Sequence, residues 1–257
     1  MNFEKRKGKY MARNFLEEMN WKKPIIGMLH LKGETDEEVL ELAKQEIDTY
    51  YKSGIDAIIV ENYFGTYHHM VKVLEYLHKN YKDLLVYGVN CLYQNTMTFE
   101  LAIKYEAAFV QIDAISGHVK PREDISYHEF IKLYRTRYNG LILGGVRFKH
   151  CPYESGRSLE EDLKIALTRC DAIAVSQDET GQETSMEKIS KFREIIGDFP
   201  LIVGAGMTAE NCKKQLEVAD GGIIGSYFKD TYEAHGIVDP THVKAVLDAR
   251  DKYLKGE

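Results

Sequence analysis

From Pro24 onward the chain alternates between two textures: short runs that are almost wholly apolar, and longer charged stretches with helical spacing. The apolar runs cover residues 25–30, 55–61, 84–90, 108–113, 141–148, 172–176, 201–204 and 221–225. Runs of this kind suit strands covered on both faces, as in a parallel sheet. The stretches between them carry helix-start signals. Thr35 with Glu38, Ser158 with Glu161, and Thr184 with Glu187 have the S/T-x-x-E spacing. In that motif hydroxyl and carboxylate satisfy backbone donors reciprocally. After Thr35, the residues Val39, Leu40, Ala43 and Ile47 make one apolar face. Asp239-Pro240 predicts the start of the last helix, an N-cap followed by proline at the first helical position, with Val243, Val246 and Leu247 on one side.

Eight strand-then-helix units of about 30 residues fit between Pro24 and the C-terminus. No Pro/Gly/Ser-rich linker separates them, so residues 24–257 read as one α/β domain after an extension of residues 1–23. Within the extension, Phe15, Leu16 and Met19 fall on one side of a short helix that would close the barrel bottom. Eight right-handed crossovers favour closure into a (β/α)8 TIM barrel. The rival is an open doubly wound sheet, which usually carries a Gly-rich turn after its first strand. Here that turn is Met28-Leu29-His30-Leu31-Lys32-Gly33, which is not G-x-G-x-x-G.

Composition narrows the function classes. The 257 residues are 44 % hydrophobic and 29 % charged, which excludes collagenous and wholly disordered chains. A net charge of −6 gives no broad field for nucleic acid or an anionic membrane. A small phosphorylated ligand is compatible with it, because local backbone amides can hold a phosphate. Cys91, Cys151, Cys170 and Cys212 form no C-x-x-C pair and match no zinc pattern, so they read as thiols in a reducing compartment. The first fifteen residues are basic without an apolar segment, and no run approaches the ~18 apolar residues of a membrane span. A cytoplasmic chain with no transmembrane segment is expected, with Lys5, Arg6, Lys7 and Lys9 as a solvated cluster. No spacing calls for a metal or a redox cofactor, and a homo-oligomer is compatible with the sequence.

In a barrel of this kind the chemistry sits where strands end. Glu61, Asp113 and Lys149 are the candidate catalytic groups. A glutamate buried in the mouth gains a raised pKa and can act as acid or base. Asp113 would be a base or a partner of Lys149, and Lys149 would hold a substrate anion. His30, Asn62, Asn90, His150 and Ser176 are candidate substrate contacts at the same rim. Gly204-Ala205-Gly206 and Gly225-Ser226 follow the last two strands, where barrels build phosphate sites. Thr208 is expected to open a helix whose first-turn amides face the anion. His68 and His69 are adjacent on a helix, about 100° apart, and read as surface residues.

Several segments together resemble the BtpA family, a barrel family associated with photosystem I biogenesis. They are Lys23-Pro24-Ile25-Ile26-Gly27-Met28-Leu29-His30-Leu31, Val60-Glu61-Asn62, Gly88-Val89-Asn90 and Lys149-His150. The strongest are residues 203–211, VGAGMTAEN, and residues 219–226, ADGGIIGS, followed by Lys229. The resemblance runs from Pro24 to the end and implies a ribulose-phosphate-binding type of barrel. The chain departs from the family pattern on the opposite rim. Lys32-Gly33-Glu34-Thr35 stands where a P-L-P-G-like loop is expected, and Tyr93-Gln94-Asn95 replaces an R-N-D-like run. Gly144-Gly145-Val146 replaces A-D-V, and Ser176-Gln177-Asp178-Glu179 precedes Thr180-Gly181. The phosphate end is kept and the opposite rim is altered. The expectation is an enzyme of isomerase or lyase type acting on a sugar phosphate or nucleotide-like metabolite. The alternative is a non-enzymatic ligand-binding or membrane-complex assembly factor. Convergence of Glu61, Asp113 and Lys149 on one cavity favours the enzyme; separate ion pairs on a filled mouth favour the alternative.

Overall fold

A computed structural model describes residues 13–256, and the basic cluster at Lys5–Lys9 lies outside them. Eight parallel strands close on themselves in sequence order: β1 Ile25–His30, β2 Ala57–Glu61, β3 Val86–Asn90, β4 Phe109–Ser116, β5 Leu141–Val146, β6 Ala172–Val175, β7 Leu201–Val203 and β8 Gly221–Ile224. The seam pairs Ile25 with Gly222 and Gly27 with Ile224. Helix α1 (Phe15–Met19) precedes the barrel. The outer layer is α2 (Asp36–Ser53), α3 (Tyr67–Tyr81), α4 (Asn95–Lys104), α5 (Pro121–Arg137), α6 (Leu159–Ala166), α7 (Met186–Ile196), α8 (Cys212–Leu216) and α9 (Pro240–Lys255).

Period-two alternation along each strand splits the core in two. Ile26, Met28, Ala57, Ile59, Leu141, Leu143, Ala172, Ala174, Ile202 and Ile223 fill the barrel interior around Phe109. Their neighbours in sequence, such as Ile25, Ile58, Val60, Val110 and Ile173, face the helices. Phe15 is fully buried against the interior cluster, edge-on to Phe109 with centroids 5.5 Å apart. Leu16 and Met19 pack beside it, so α1 seals the bottom as its apolar side predicts. Gly88 is required here, because a Cβ would lie 2.4 Å from the Phe109 ring.

Three aspartates tie strand starts together at the bottom. Asp56, Asp171 and Asp220 each stand one residue before an even-numbered strand. Each accepts a backbone N–H from the preceding strand, those of Ile25, Ile142 and Leu201 respectively. Each also pairs with an arginine: Arg250, Arg135 and Arg193.

The helix starts agree with the sequence in part. Ser158 and Glu161 form a complete capping box, and Asp239 caps α9 ahead of Pro240. Thr35 caps α2, but the Glu38 carboxylate accepts from Glu34 N rather than closing the box. Thr184 is not a cap. Ser185 caps α7, while Thr184 is buried and donates its hydroxyl to Ala205 O. The helix expected at Thr208 begins only at Cys212, because Asn211 Oδ1 takes the Thr208 amide and the chain makes a turn first.

Candidate active site

Strands β1 to β4 bring four polar side chains into one row. Three stand at the ends of β1, β2 and β3, and on β4 the fourth is Asp113, three residues before that strand's end at Ser116, which lies past the expected end at residue 113. Registry places His30 beside Glu61 and Glu61 beside Asn90. His30 Nε2 lies 3.3 Å from Glu61 Oε2. Asn90 Nδ2 donates to Glu61 Oε1 at 2.9 Å and to Asp113 Oδ1 at 3.0 Å. Gln111, two residues back on β4, donates to the same Asp113 oxygen at 2.6 Å. Both amide protons of Asn90 are therefore used to hold the two carboxyl groups apart.

Burial sets the charge states of this row. It pushes the Glu61 carboxyl up to about 8, and the nearby Asp113 pushes it the same way, against the pull of Lys149 and Asn90. Asp113 is also raised by burial, against the hydrogen bond from Gln111 and the charge of Lys149. His30 is held well below its ordinary value by burial and by the charge of Lys229. Its Nδ1 lies 3.1 Å from Ala234 O, a carbonyl that can only accept. The ring is thus neutral with its proton directed at Ala234 O, which leaves Nε2 as an acceptor 3.3 Å from Glu61 Oε2.

Two cavities open on this mouth. The larger, about 540 Å³, is lined by Glu61, Asn90, Asp113, Lys149 and His150 among others. The smaller, about 210 Å³, lies between Gly204–Thr208 and Gly225–Tyr227, with His30 and Lys149 on its inner side. Lys149 borders both. Its Nζ sits 5.6 Å from the Phe148 ring centroid, and no carboxylate comes within 4.0 Å of it among the described residues. Its backbone N–H is fixed by Ser176 Oγ at 2.9 Å.

The other rim residues divide by what they touch. Ser176 is fully buried and spends its hydroxyl on Lys149 N and Gln177 O, so it reaches the cavities through Lys149. Asn62 Oδ1 accepts from Leu92 N and braces the loop after β3. His150 is exposed, with Nε2 3.3 Å from Thr180 Oγ1. Tyr63 donates to that same Thr180 hydroxyl at 3.0 Å. Thr180 thus bridges the loops after β2 and β5 across the mouth. Neither Tyr63 nor Thr180 is marked by the sequence pattern. The spacing of Tyr63, two residues beyond a strand-end glutamate, is the only local signal for it.

In the smaller cavity, Ala205 and Gly206 present backbone amides that bond to no other group among the described residues. Ser226 adds a hydroxyl and opens a short 3-10 turn, Ser226–Phe228. Gly206 has φ +71, and a Cβ there would lie 2.3 Å from Gln182 O. Its missing side chain makes room for the loop after β6, not for a ligand. Thr184 pins that loop to Ala205 from below.

Behind the small cavity lies a buried charge cluster that the sequence does not reveal. Glu46 on α2 accepts from Lys32 and Val238 N through Oε1, and from Lys229 through Oε2 at 3.0 Å. Burial draws the Lys229 ammonium down to about 8. The cluster anchors both ends of segment 229–238, which carries Ala234 O to His30. The cysteines take no such part. Burial raises the Cys91 and Cys151 thiols to about 12 and Cys212 to about 11. His68 and His69 sit on α3, where His69 completes a capping box with Thr66 and both rings contact Asp36.

A closed barrel of eight parallel strands ringed by helices, with a cluster of polar side chains at its C-terminal mouth, defines a TIM-barrel protein. Solved barrels share that architecture over nearly the whole chain. The N-acetylmannosamine-6-phosphate 2-epimerase of Clostridium perfringens superposes with a TM-score of 0.57 at 12 % identity, covering 98 % of this chain and 99 % of that one. Residues 21–252 match the BtpA family, and the chain belongs to it. The photosystem I biogenesis protein BtpA of Synechocystis is 25 % identical, over 91 % of this chain and 90 % of its own length. An uncharacterised protein of Methanocaldococcus jannaschii is 26 % identical, over 90 % and 96 %. No helix among the described residues is long and apolar enough to cross a membrane.

Proposed function

We propose that this chain is an enzyme acting on a small phosphorylated metabolite by proton transfer, with isomerase or lyase chemistry. The observation that carries this reading is the convergence of Glu61, Asp113 and Lys149 on one cavity that adjoins a pocket of backbone amides. Separate ion pairs on a filled mouth would have argued for a binding or assembly role instead. The phosphate would sit against the amides of Ala205 and Gly206 and the hydroxyl of Ser226, where oriented N–H groups stabilise an anion. Lys149 would face the ester and the carbons next to it. As an ammonium without a carboxylate partner, it would stabilise negative charge developing on a substrate oxygen.

Glu61 would move the proton. A carboxyl with a pKa of about 8 exists in both forms near neutrality, which suits an acid–base group. His30 offers it a neutral acceptor, and Asn90 keeps it from collapsing onto Asp113. The phosphate named in the C. perfringens epimerase lends the reading support by analogy of fold only.

The test has two stages. Inorganic phosphate and ribose 5-phosphate should raise the melting temperature, since ligand at 100 times its Kd adds about 2.7 kcal/mol. A panel of ketose and aldose phosphates in D2O should then show deuterium entering beside the carbonyl, and Glu61→Gln should stop it. No stabilisation by any phosphate ester would overturn the reading.

A further inference from the structure

The two cavities differ in chemistry as well as size. The larger one is lined in part by the catalytic candidates Glu61, Asp113 and Lys149. The rest of its lining is mostly apolar or aromatic, with Tyr63, Leu92, Tyr93, Ala114, Cys151 and Pro152 beside Asn95 and His118. Several polar atoms here are spent elsewhere, while His118 Nδ1 is buried without a hydrogen-bond partner among the described residues. The Tyr63 hydroxyl donates to Thr180, and the Ala114 carbonyl accepts from Tyr127. The Cys151 thiol stays protonated. A group that is apolar over its faces and polar only at an edge, where His118 can pair with it, suits this lining better than a polyhydroxyl chain or a second phosphate, whose many polar atoms would meet mostly apolar surface.

Backbone conformation adds an independent observation. Seven described non-glycine residues have positive φ, and three of them carry rings onto these two cavities. Tyr93 (φ 64) and His150 (φ 59) line the larger, and Tyr232 (φ 58) lines the smaller. A bulky residue in the left-handed region is strained, and such residues cluster at ligand sites. Tyr93 is also 84 % exposed, so its ring is held out at the rim with little packing to offset that strain.

We infer that the ligand is bipartite: a phosphorylated sugar whose far end is a planar aromatic or heteroaromatic ring. The phosphate occupies the small cavity, the sugar carbons pass Lys149 and Glu61, and the ring lies in the large cavity against Leu92 and beneath Tyr93. This rests on the phosphate-pocket reading above and adds the chemistry of the other end. A flat π-face satisfies an apolar, aromatic wall without needing hydrogen-bond partners.

The test is calorimetric titration of the full chain with inorganic phosphate, ribose 5-phosphate, uridine 5′-monophosphate and adenosine 5′-monophosphate. At least one nucleotide should bind about tenfold tighter than ribose 5-phosphate, the worth of one stacked ring. Tyr93→Gly relaxes the backbone and removes the ring, and Leu92→Ala trims the wall. Each should erase most of the nucleotide's advantage and leave ribose 5-phosphate within about twofold. If ribose 5-phosphate binds and neither nucleotide binds tighter, the ring subsite is wrong while the phosphate pocket stands. A nucleotide advantage that survives both substitutions also overturns the subsite. If none of the four probes binds, the phosphate pocket itself fails and this inference with it.

Discussion

The imidazole of His30 and the carboxyl of Glu61 lie 3.3 Å apart, Nε2 to Oε2, and burial holds both toward their neutral forms. The carbonyl of Ala234 holds the ring's only proton on the far nitrogen. The other Glu61 oxygen accepts from Asn90. The pair is a neutral acid against a neutral base, ready to exchange one proton.

The pH dependence of stability follows from that state. Glu61 holds its proton to about pH 8 when folded and only to about 4.5 when unfolded. Between those values the folded chain binds more protons, so stability falls as pH rises, at up to about 1.4 kcal/mol per unit. The stabilisation is complete below about pH 4.5 and is lost as pH passes about 8. Glu61→Gln cannot ionise, so it should gain on the parent by about 1 kcal/mol or more between pH 6 and pH 8. Urea unfolding at the two values measures it, and parallel curves for the two proteins would contradict the assignment.

Ser226→Asp should abolish binding of inorganic phosphate and ribose 5-phosphate while leaving the melting temperature of the free protein nearly unchanged. The side chain faces the small cavity, and a carboxylate there meets the anion directly. Ser226→Ala loses one hydroxyl donor and should weaken binding by about threefold to tenfold. Gly206 is not a clean alternative. With φ +71 and Gln182 O beside it, Gly206→Ala should destabilise the fold whether or not ligand is present.

Lys149→Met keeps the stem of the side chain and removes its charge. Affinity for phosphate esters should fall about tenfold, the worth of one charged contact, and the fold should be unaffected because Nζ pairs with no carboxylate. Calorimetry of the two proteins at one ionic strength checks this. Unchanged affinity would remove Lys149 from the anion-binding role.

At the other end of the barrel, Asp171→Ala should cost about 3–5 kcal/mol. Asp171 is fully buried and serves Arg135, Ile142 N and Arg13 N together. Removing it leaves a buried guanidinium without its carboxylate. Chemical denaturation gives the difference, and a loss under 1 kcal/mol would show that the bottom ties are dispensable.

How much of this was legible in the sequence depends on the range of the contacts. Strand order, the Phe15 plug and the caps at Ser158 and Asp239 are read from residues close together in the chain. Strand ends expose polar residues locally, so Glu61, Asn90 and Asp113 could be placed on one rim before the barrel was seen. What was missed is long-range. Glu46 and Lys229 are 183 positions apart, and Thr180 lies 117 from Tyr63. Thr184 was misjudged for a related reason. It fits the capping spacing, but burial against Ala205 outweighed it and the neighbouring Ser185 took the cap. Gly206 reads from the sequence as part of a phosphate turn, while its missing side chain makes room for Gln182 and Glu183 of another loop.

The Phe15 seal turns the barrel into a blind well. The interior above the seal is filled by side chains, so the two mouth cavities do not continue through the barrel. Residence time therefore belongs to the rim, where a single threonine hydroxyl at position 180 ties one side of the opening to the other.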